Sequence, residues 1–231
     1  RAQIVSGLRS DQADPDSLAG DAFFRAAFPD DAYGRNPDGS IETVAALTAD
    51  DLQAAQARHL TRMGMKIGVV GAIDPETLGP LLDALLLDLP EGARPNLPDV
   101  AFSAEGGIEV VPFDAPQSRV VFGHEGPLRD DPDFMPVFVM NHILGGGGFS
   151  SILMEEVREK RGLAYGAYSY LAALDREGMI LGRVGTANAR VGETIRVIRN
   201  QWRRVAEGGI TQEQLDAAKQ YLTGAYPLRF D

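Results

Sequence analysis

Apolar positions along the chain recur at two spacings, and the switches between them predict the order of elements. Ile4, Val5 and Leu8 make a short apolar helical face. Asp14-Pro15 then offers an N-cap with proline at the first helical position, and Leu18, Ala22, Phe23 and Ala26 carry helical spacing to about Phe28. Residues 29–40, PDDAYGRNPDGS, are a turn-rich loop. Thr48 with Asp51 has the form of a capping box before a helix to about Leu60. Residues 65–73, MKIGVVGAI, read as a buried-type strand, and Asp74-Pro75 opens a helix to about Leu87.

Residues 89–99, LPEGARPNLPD, hold three prolines that remove helix and central-strand options, so the expected boundary falls there. The expected domains are 1–95, the C-terminal part of a first α+β domain, and 100–231, a second. Strands are expected at 107–113 and 118–124, a loop at 129–132, and a helix from about Asp133 to Leu144. The stretch 144–170, LGGGGFSSILMEEVREKRGLAYGAYSY, comes next. In it Ser150 or Ser151 caps a helix to about Arg161 whose apolar Ile152, Leu153 and Val157 alternate with charge, and Gly162 ends it. Residues 163–171 have strand composition with Tyr165, Tyr168 and Tyr170, and 179–185 read as their hairpin partner. Val191, Ile195, Ile198, Trp202 and Val205 trace a long amphipathic helix, and Thr211 with Gln214 caps the last one. Hairpin-like strand pairs with helices between them indicate an α+β fold, with helices layered on largely antiparallel sheets.

Composition narrows the function. A chain of 231 residues, 44% apolar, can bury a substantial core. The net charge of -11 argues against nucleic acid as a partner; the basic residues that do cluster are Arg196, Arg199, Arg203 and Arg204 on one helix. No cysteine is present, which excludes disulfides, thiolate metal sites and a cysteine nucleophile. The longest apolar runs fall far short of a membrane span. The first residues lack a signal-peptide core, and the absent methionine and abrupt ends read as a piece of a longer protein.

Four glycines, Gly145, Gly146, Gly147 and Gly148, free the backbone for close approach of another chain, which makes this loop with Phe149 and Ser150 the first candidate for substrate binding. It is not a phosphate loop of the Walker type, because Phe149 stands where a lysine is required, and it follows a helix where a dinucleotide fingerprint follows a strand. The three histidines, His59, His124 and His142, are scattered and form no metal motif. Ser150 and Ser151 have no nucleophile elbow, so capping is their expected role. Arg158, near the helix end, and Tyr165, at the strand entry, are placed to face one site, although on spacing alone Arg158 among Glu155, Glu156 and Glu159 reads as a salt-bridged surface residue.

The pattern L-G-G-G-x-F-S-S-x-L-x-x-E-x-R-E-K-x-G-L-A-Y resembles the signature of the C-terminal half of insulinase/pitrilysin-type (inverzincin) zinc peptidases, and is also similar to mitochondrial processing peptidase subunits. The similarity extends to FPDDAYGRNPDGSIETVAALTADDLQAAQARHL and MKIGVVGAID, so it covers nearly the whole chain. The resemblance implies paired layered domains of the metallohydrolase type, two halves around a chamber, and peptide substrates cut at a zinc site on the catalytic half. It also implies that the other half supplies an arginine and a tyrosine seven residues apart, here Arg158 and Tyr165, to hold the substrate backbone and polarise its carbonyl. Where a catalytic half carries its third zinc ligand, this chain reads Ile4-Val5-Ser6-Gly7-Leu8, and Gly7 has no ligand to offer. The resemblance therefore implies a non-catalytic half or subunit with no metal of its own, zinc on a partner bearing H-x-x-E-H, and a silent scaffold of the same fold as the alternative. It suggests a periplasmic setting, with the cytoplasm as the other option.

Overall fold

In the computed structural model, which describes residues 1–93, 97–103 and 105–229, the helix starts follow the capping chemistry of the sequence. After α1 (Ala2–Asp11), α2 (Pro15–Ala27) opens where the Asp14 carboxylate accepts from the Ser17 amide at 2.8 Å. α3 (Ile41–Ala46) and α4 (Ala49–His59) start at reciprocal capping boxes, Ser40 with Thr43 and Thr48 with Asp51; α3 adds a short helix to those the spacing predicts. α5 (Pro75–Leu86) starts at Asp74, which accepts from the Thr77 amide at 2.7 Å.

The strands form one antiparallel sheet. β1 (Gln117–Gly126), β2 (Ala164–Ala173) and β3 (Gly178–Ala187) lie in the order β1-β3-β2, so β1 and β2 are both edges. α6 (Phe134–Asn141) lies between β1 and β2 in the chain; α7 (Val191–Gly208) and α8 (Gln212–Ala225) follow β3. Alternate residues of a strand face opposite sides of the sheet. On one side Met179 and Leu181 pack with Ala27 and Phe28, and Phe28 meets Tyr33 and Phe102 edge-on at 5.6 and 5.7 Å. On the other, Val184 and Ala167 join Leu144, Leu153, Val157, Ile198 and Ala218. Helices thus cover both faces of the sheet, an α+β arrangement of helices on an antiparallel sheet.

Two expected strands are corrected. Residues 65–73 and 107–113 have strand composition but join no ladder among the described residues, and Val70, Ile108 and Val110 are exposed. A strand exists only by pairing, and composition states a preference without supplying the partner.

The chain divides into two compact units, 1–5 with 40–98, and 6–39 with 99–231. The passage from the first to the second lies in the proline-rich stretch, of which Arg94, Pro95 and Asn96 fall outside the described residues. Residues 6–39 belong with the later part of the chain because Phe23, Phe24 and Phe28 of α2 complete the core over Met179 and Leu181. The candidate site and the whole sheet lie in this second unit.

Candidate functional site

The glycine run begins where α6 loosens into a π-helical turn, His142–Gly146. A buried pair anchors that turn: the Asn141 side-chain amide donates to the Ser169 carbonyl at 3.2 Å, and the Ser169 hydroxyl donates to Asn141 Oδ1 at 2.7 Å. Gly145 is buried against the same strand, and a Cβ there would stand 2.3 Å from Ser169 Oγ and 2.8 Å from Ser169 N. Its lack of a side chain is therefore a packing requirement. Gly148, at φ 59°, takes a backbone conformation that side chains disfavour and turns the chain outward, leaving Phe149 70% exposed.

Ser151 is the cap, one of the two serines the sequence offers for that role: its hydroxyl donates to the Gly148 carbonyl at 2.8 Å and accepts from the Met154 amide at 3.4 Å. Ser150 instead donates to the Gly147 carbonyl at 2.9 Å, which stiffens the loop. The helix that follows is wound wide, with a π-helical segment Met154–Glu159, and the Leu163 amide reaches back to the Val157 carbonyl at 2.8 Å. Such widened turns recur at functional sites because they re-aim side chains that a regular helix would stack.

Re-aiming also occurs on the strand. Ala164 pairs with Thr186 but Ala167 with Val184, so β2 holds one extra residue, a β-bulge containing Tyr165 and Gly166. The Ala167 amide is turned to the Met154 sulfur at 3.4 Å. In an unbroken strand Tyr165 would oppose Tyr168; with the bulge, Tyr165, Tyr168 and Tyr170 are all exposed, Tyr165 by 81%.

These distortions converge on Arg158. Its guanidinium carbon lies 4.7 Å from the Phe149 ring centre and 4.6 Å from that of Tyr165. Each such cation–π contact contributes roughly 0.5–2 kcal/mol, the more so as water is excluded. Nε makes a 3.4 Å ion pair with Glu159, whereas Nη1 is buried with no hydrogen-bond partner among the described residues. The picture of Arg158 shared among three glutamates is corrected, because Lys160 takes Glu155 at 2.9 Å and Glu156 at 2.7 Å, and Arg161 takes Glu156 at 2.5 Å. Lys160, then Arg161, holds the Glu156 carboxyl below its ordinary range, outweighing its partial burial. The neighbouring acids are thereby committed, and Arg158 keeps donor capacity unspent.

Residues 46–222 match the family described as Peptidase M16 inactive domain. The chain belongs to the peptidase M16 inactive-domain family. A crystal structure of an M16 inactive domain from Pseudomonas fluorescens superposes with a TM-score of 0.92 at 28% identity, over 96% of this chain and 54% of that one. Among relatives, an uncharacterized zinc protease of Streptomyces coelicolor is 30% identical over 97% of this chain and 50% of its own length. A non-peptidase homologue of Helicobacter pylori, YmxG, is 29% identical over 99% of this chain and 53% of its own length. The chain thus spans about half the length of the curated relatives it matches.

Zinc, which the name of the Streptomyces relative implies for that protein, finds no fitting ligand set among the described residues of this M16 domain. Among the described residues no three His, Cys, Asp or Glu side chains gather into a possible metal group. His124 accepts from the Trp202 indole N–H at 2.9 Å, and the His142 ring stacks on Tyr221 at 5.2 Å, where burial lowers its pKa. Gly7, on α1, has no side chain to bind with. Among the described residues no helix is long and apolar enough to cross a membrane. The widened helix, the strand bulge and the Asn141–Ser169 pair escape a sequence reading; Gly166 inside a strand-like run was the available signal for the bulge.

Proposed function

We propose that this M16 inactive domain is the substrate-holding half of a zinc-dependent endopeptidase, acting with a catalytic half that carries the H-x-x-E-H motif and the metal. The observation that carries the proposal is Arg158, held beside the rings of Phe149 and Tyr165 with a buried Nη1 that nothing among the described residues satisfies. An unsatisfied buried donor is unfavourable by about 1–3 kcal/mol, and more for a charged group, unless a ligand meets it. A peptide carbonyl is such a ligand, and the guanidinium's fixed fork suits an extended backbone. Tyr165, exposed beside it, offers a phenol O–H to the scissile carbonyl oxygen as negative charge develops there. Phe149, Ser150 and the outward turn at Gly148 form the lip past which the peptide runs, while Gly145 serves packing.

The test is peptide hydrolysis by the chain combined with a catalytic half. Arg158→Ala is expected to raise KM and lower kcat together, since it removes a contact made before and during the reaction. Unchanged kinetics with Arg158→Ala defeats the proposal. A scaffold without proteolytic role is the second reading, favoured by the name of the Helicobacter relative as a non-peptidase homologue. It gives no account of the buried Arg158 Nη1 left without a partner among the described residues.

A further inference from the structure

The central strand of the sheet carries an arginine in the middle of one face. Met179, Leu181, Arg183 and Gly185 of β3 alternate onto the same side, and the first two are buried with Ala27 and Phe28. At Arg183 that apolar cover stops. The residue is exposed, and α2 passes beside it at the buried Gly20, where a Cβ would stand 3.5 Å from Arg183 Nη2. A charge at this position adds nothing to the core. Among the described residues Arg183 has no ion pair, hydrogen bond or ring contact, whereas Arg119, on the same face of β1, is held by Asp16 at 3.3 Å.

The neighbours of Arg183 on β2 are aromatic and open. Tyr168 pairs with it directly across the strands, Tyr170 pairs with Leu181, and both tyrosines are exposed. Tyr168 lies back over Gly166, whose missing Cβ would collide with the ring and its hydroxyl. The bulge sets Tyr165 and Gly166 opposite Gly185, two residues of β3 from Arg183 and so about 7 Å from it along the sheet. Tyr165, Tyr168 and Tyr170 thereby form one strip that runs past the unpaired guanidinium. In an extended peptide, side chains two residues apart point the same way with the same spacing of about 7 Å. A guanidinium's fork matches a carboxylate and repels a cation.

We infer that Arg183, flanked by Tyr168 and Tyr170, is a subsite for an acidic side chain about two residues from the peptide carbonyl that meets Tyr165. The inference rests on the proposed reading of Tyr165 and adds to it a substrate class, peptides with aspartate or glutamate near the reacting bond.

A rhodamine-labelled, amidated peptide of alternating alanine and threonine with a single central aspartate is titrated onto the chain and followed by anisotropy. Its counterpart carries lysine at the centre. The uniform sequence lets either peptide slide until its charge meets Arg183. The aspartate peptide is expected to bind about threefold tighter or more, the size of a favourable exposed pair set against a repulsive one. Arg183→Glu is expected to reverse the order, and Arg158→Ala to weaken both peptides alike. Should Arg183→Glu unfold, Arg183→Gln is expected to erase the preference. Equal affinity for the two peptides, binding of neither, or an unchanged preference in the Arg183 variant overturns the inference. So does a dimer of the chain that Arg183→Glu dissociates, because a second copy then covers this face. The two readings fail separately. Absence of the acid preference alongside a catalytic defect in Tyr165→Phe removes this subsite alone; an intact preference alongside parent kinetics in Arg158→Ala and Tyr165→Phe removes the peptidase reading alone.

Discussion

Gly145→Ala separates a packing role for the glycine run from a purely substrate-binding one. The added methyl would stand 2.3 Å from Ser169 Oγ, 2.8 Å from Ser169 N and 2.9 Å from Leu153 Cδ1. The hydroxyl can rotate away only by giving up its 2.7 Å bond to Asn141 Oδ1, which then stays buried and unsatisfied at about 1–3 kcal/mol. The Ser169 amide belongs to the β2 backbone and moves only with the strand, and overpacking of this kind destabilises by about 1–3 kcal/mol. The two overlap, so the expected loss is about 2–4 kcal/mol, a fall in Tm of roughly 5–15 °C for a domain of this size. Circular dichroism melts of the parent and of Gly145→Ala read the shift directly. Gly145→Ala combined with Ser169→Gly, which removes the colliding oxygen, is expected to lose less than the sum of the two single changes. A Gly145→Ala protein that melts within about 1 °C of the parent refutes the packing argument.

Three other outcomes follow from the core and the titratable groups. Phe28→Ala removes a ring that is 1% exposed and touches three others, so a loss of about 3–5 kcal/mol in urea unfolding is expected; under about 1 kcal/mol means the α2 face is not core. Burial lowers the His142 pKa from 6.5, so below that pH the unfolded chain takes up a proton that the folded one refuses. Stability therefore falls as pH drops from about 7 toward 5, and His142→Gln should flatten that limb; an identical pH profile contradicts the burial of the ring. Zinc equilibrated with the isolated chain should be recovered by dialysis at well under one equivalent, as read by elemental analysis, whereas a full equivalent retained reveals a ligand set that the fold does not gather.

What the sequence made legible was local or covalently short-ranged. Asp14, Thr48, Asp74 and Thr211 each announce a helix because the capping oxygen and the amide it satisfies lie three residues apart. The β2–β3 hairpin was legible for the same reason, and the expectation that Arg158 and Tyr165 face one another agrees with their 4.6 Å contact. Residues 65–73 and 107–113 misled because strand composition is silent on whether a partner strand exists. The rest depended on contacts distant in the chain. Nothing in the order of residues says that Asn141 meets Ser169, that the Met154 sulfur receives the Ala167 amide, or that Lys160 claims Glu155 and Glu156 and leaves Arg158 with Glu159 alone.

Tyr165→Phe in a complex with a catalytic half bearing H-x-x-E-H is the most direct test of the proposed function, because it removes one hydroxyl and leaves the ring beside Arg158. Steady-state hydrolysis of a peptide by that complex should show kcat reduced by roughly 10²-fold to 10³-fold with KM within about twofold of the parent, as expected for a donor engaged in the transition state. A kcat equal to the parent's would show that Tyr165 offers nothing to the reacting carbonyl, and would contradict the account.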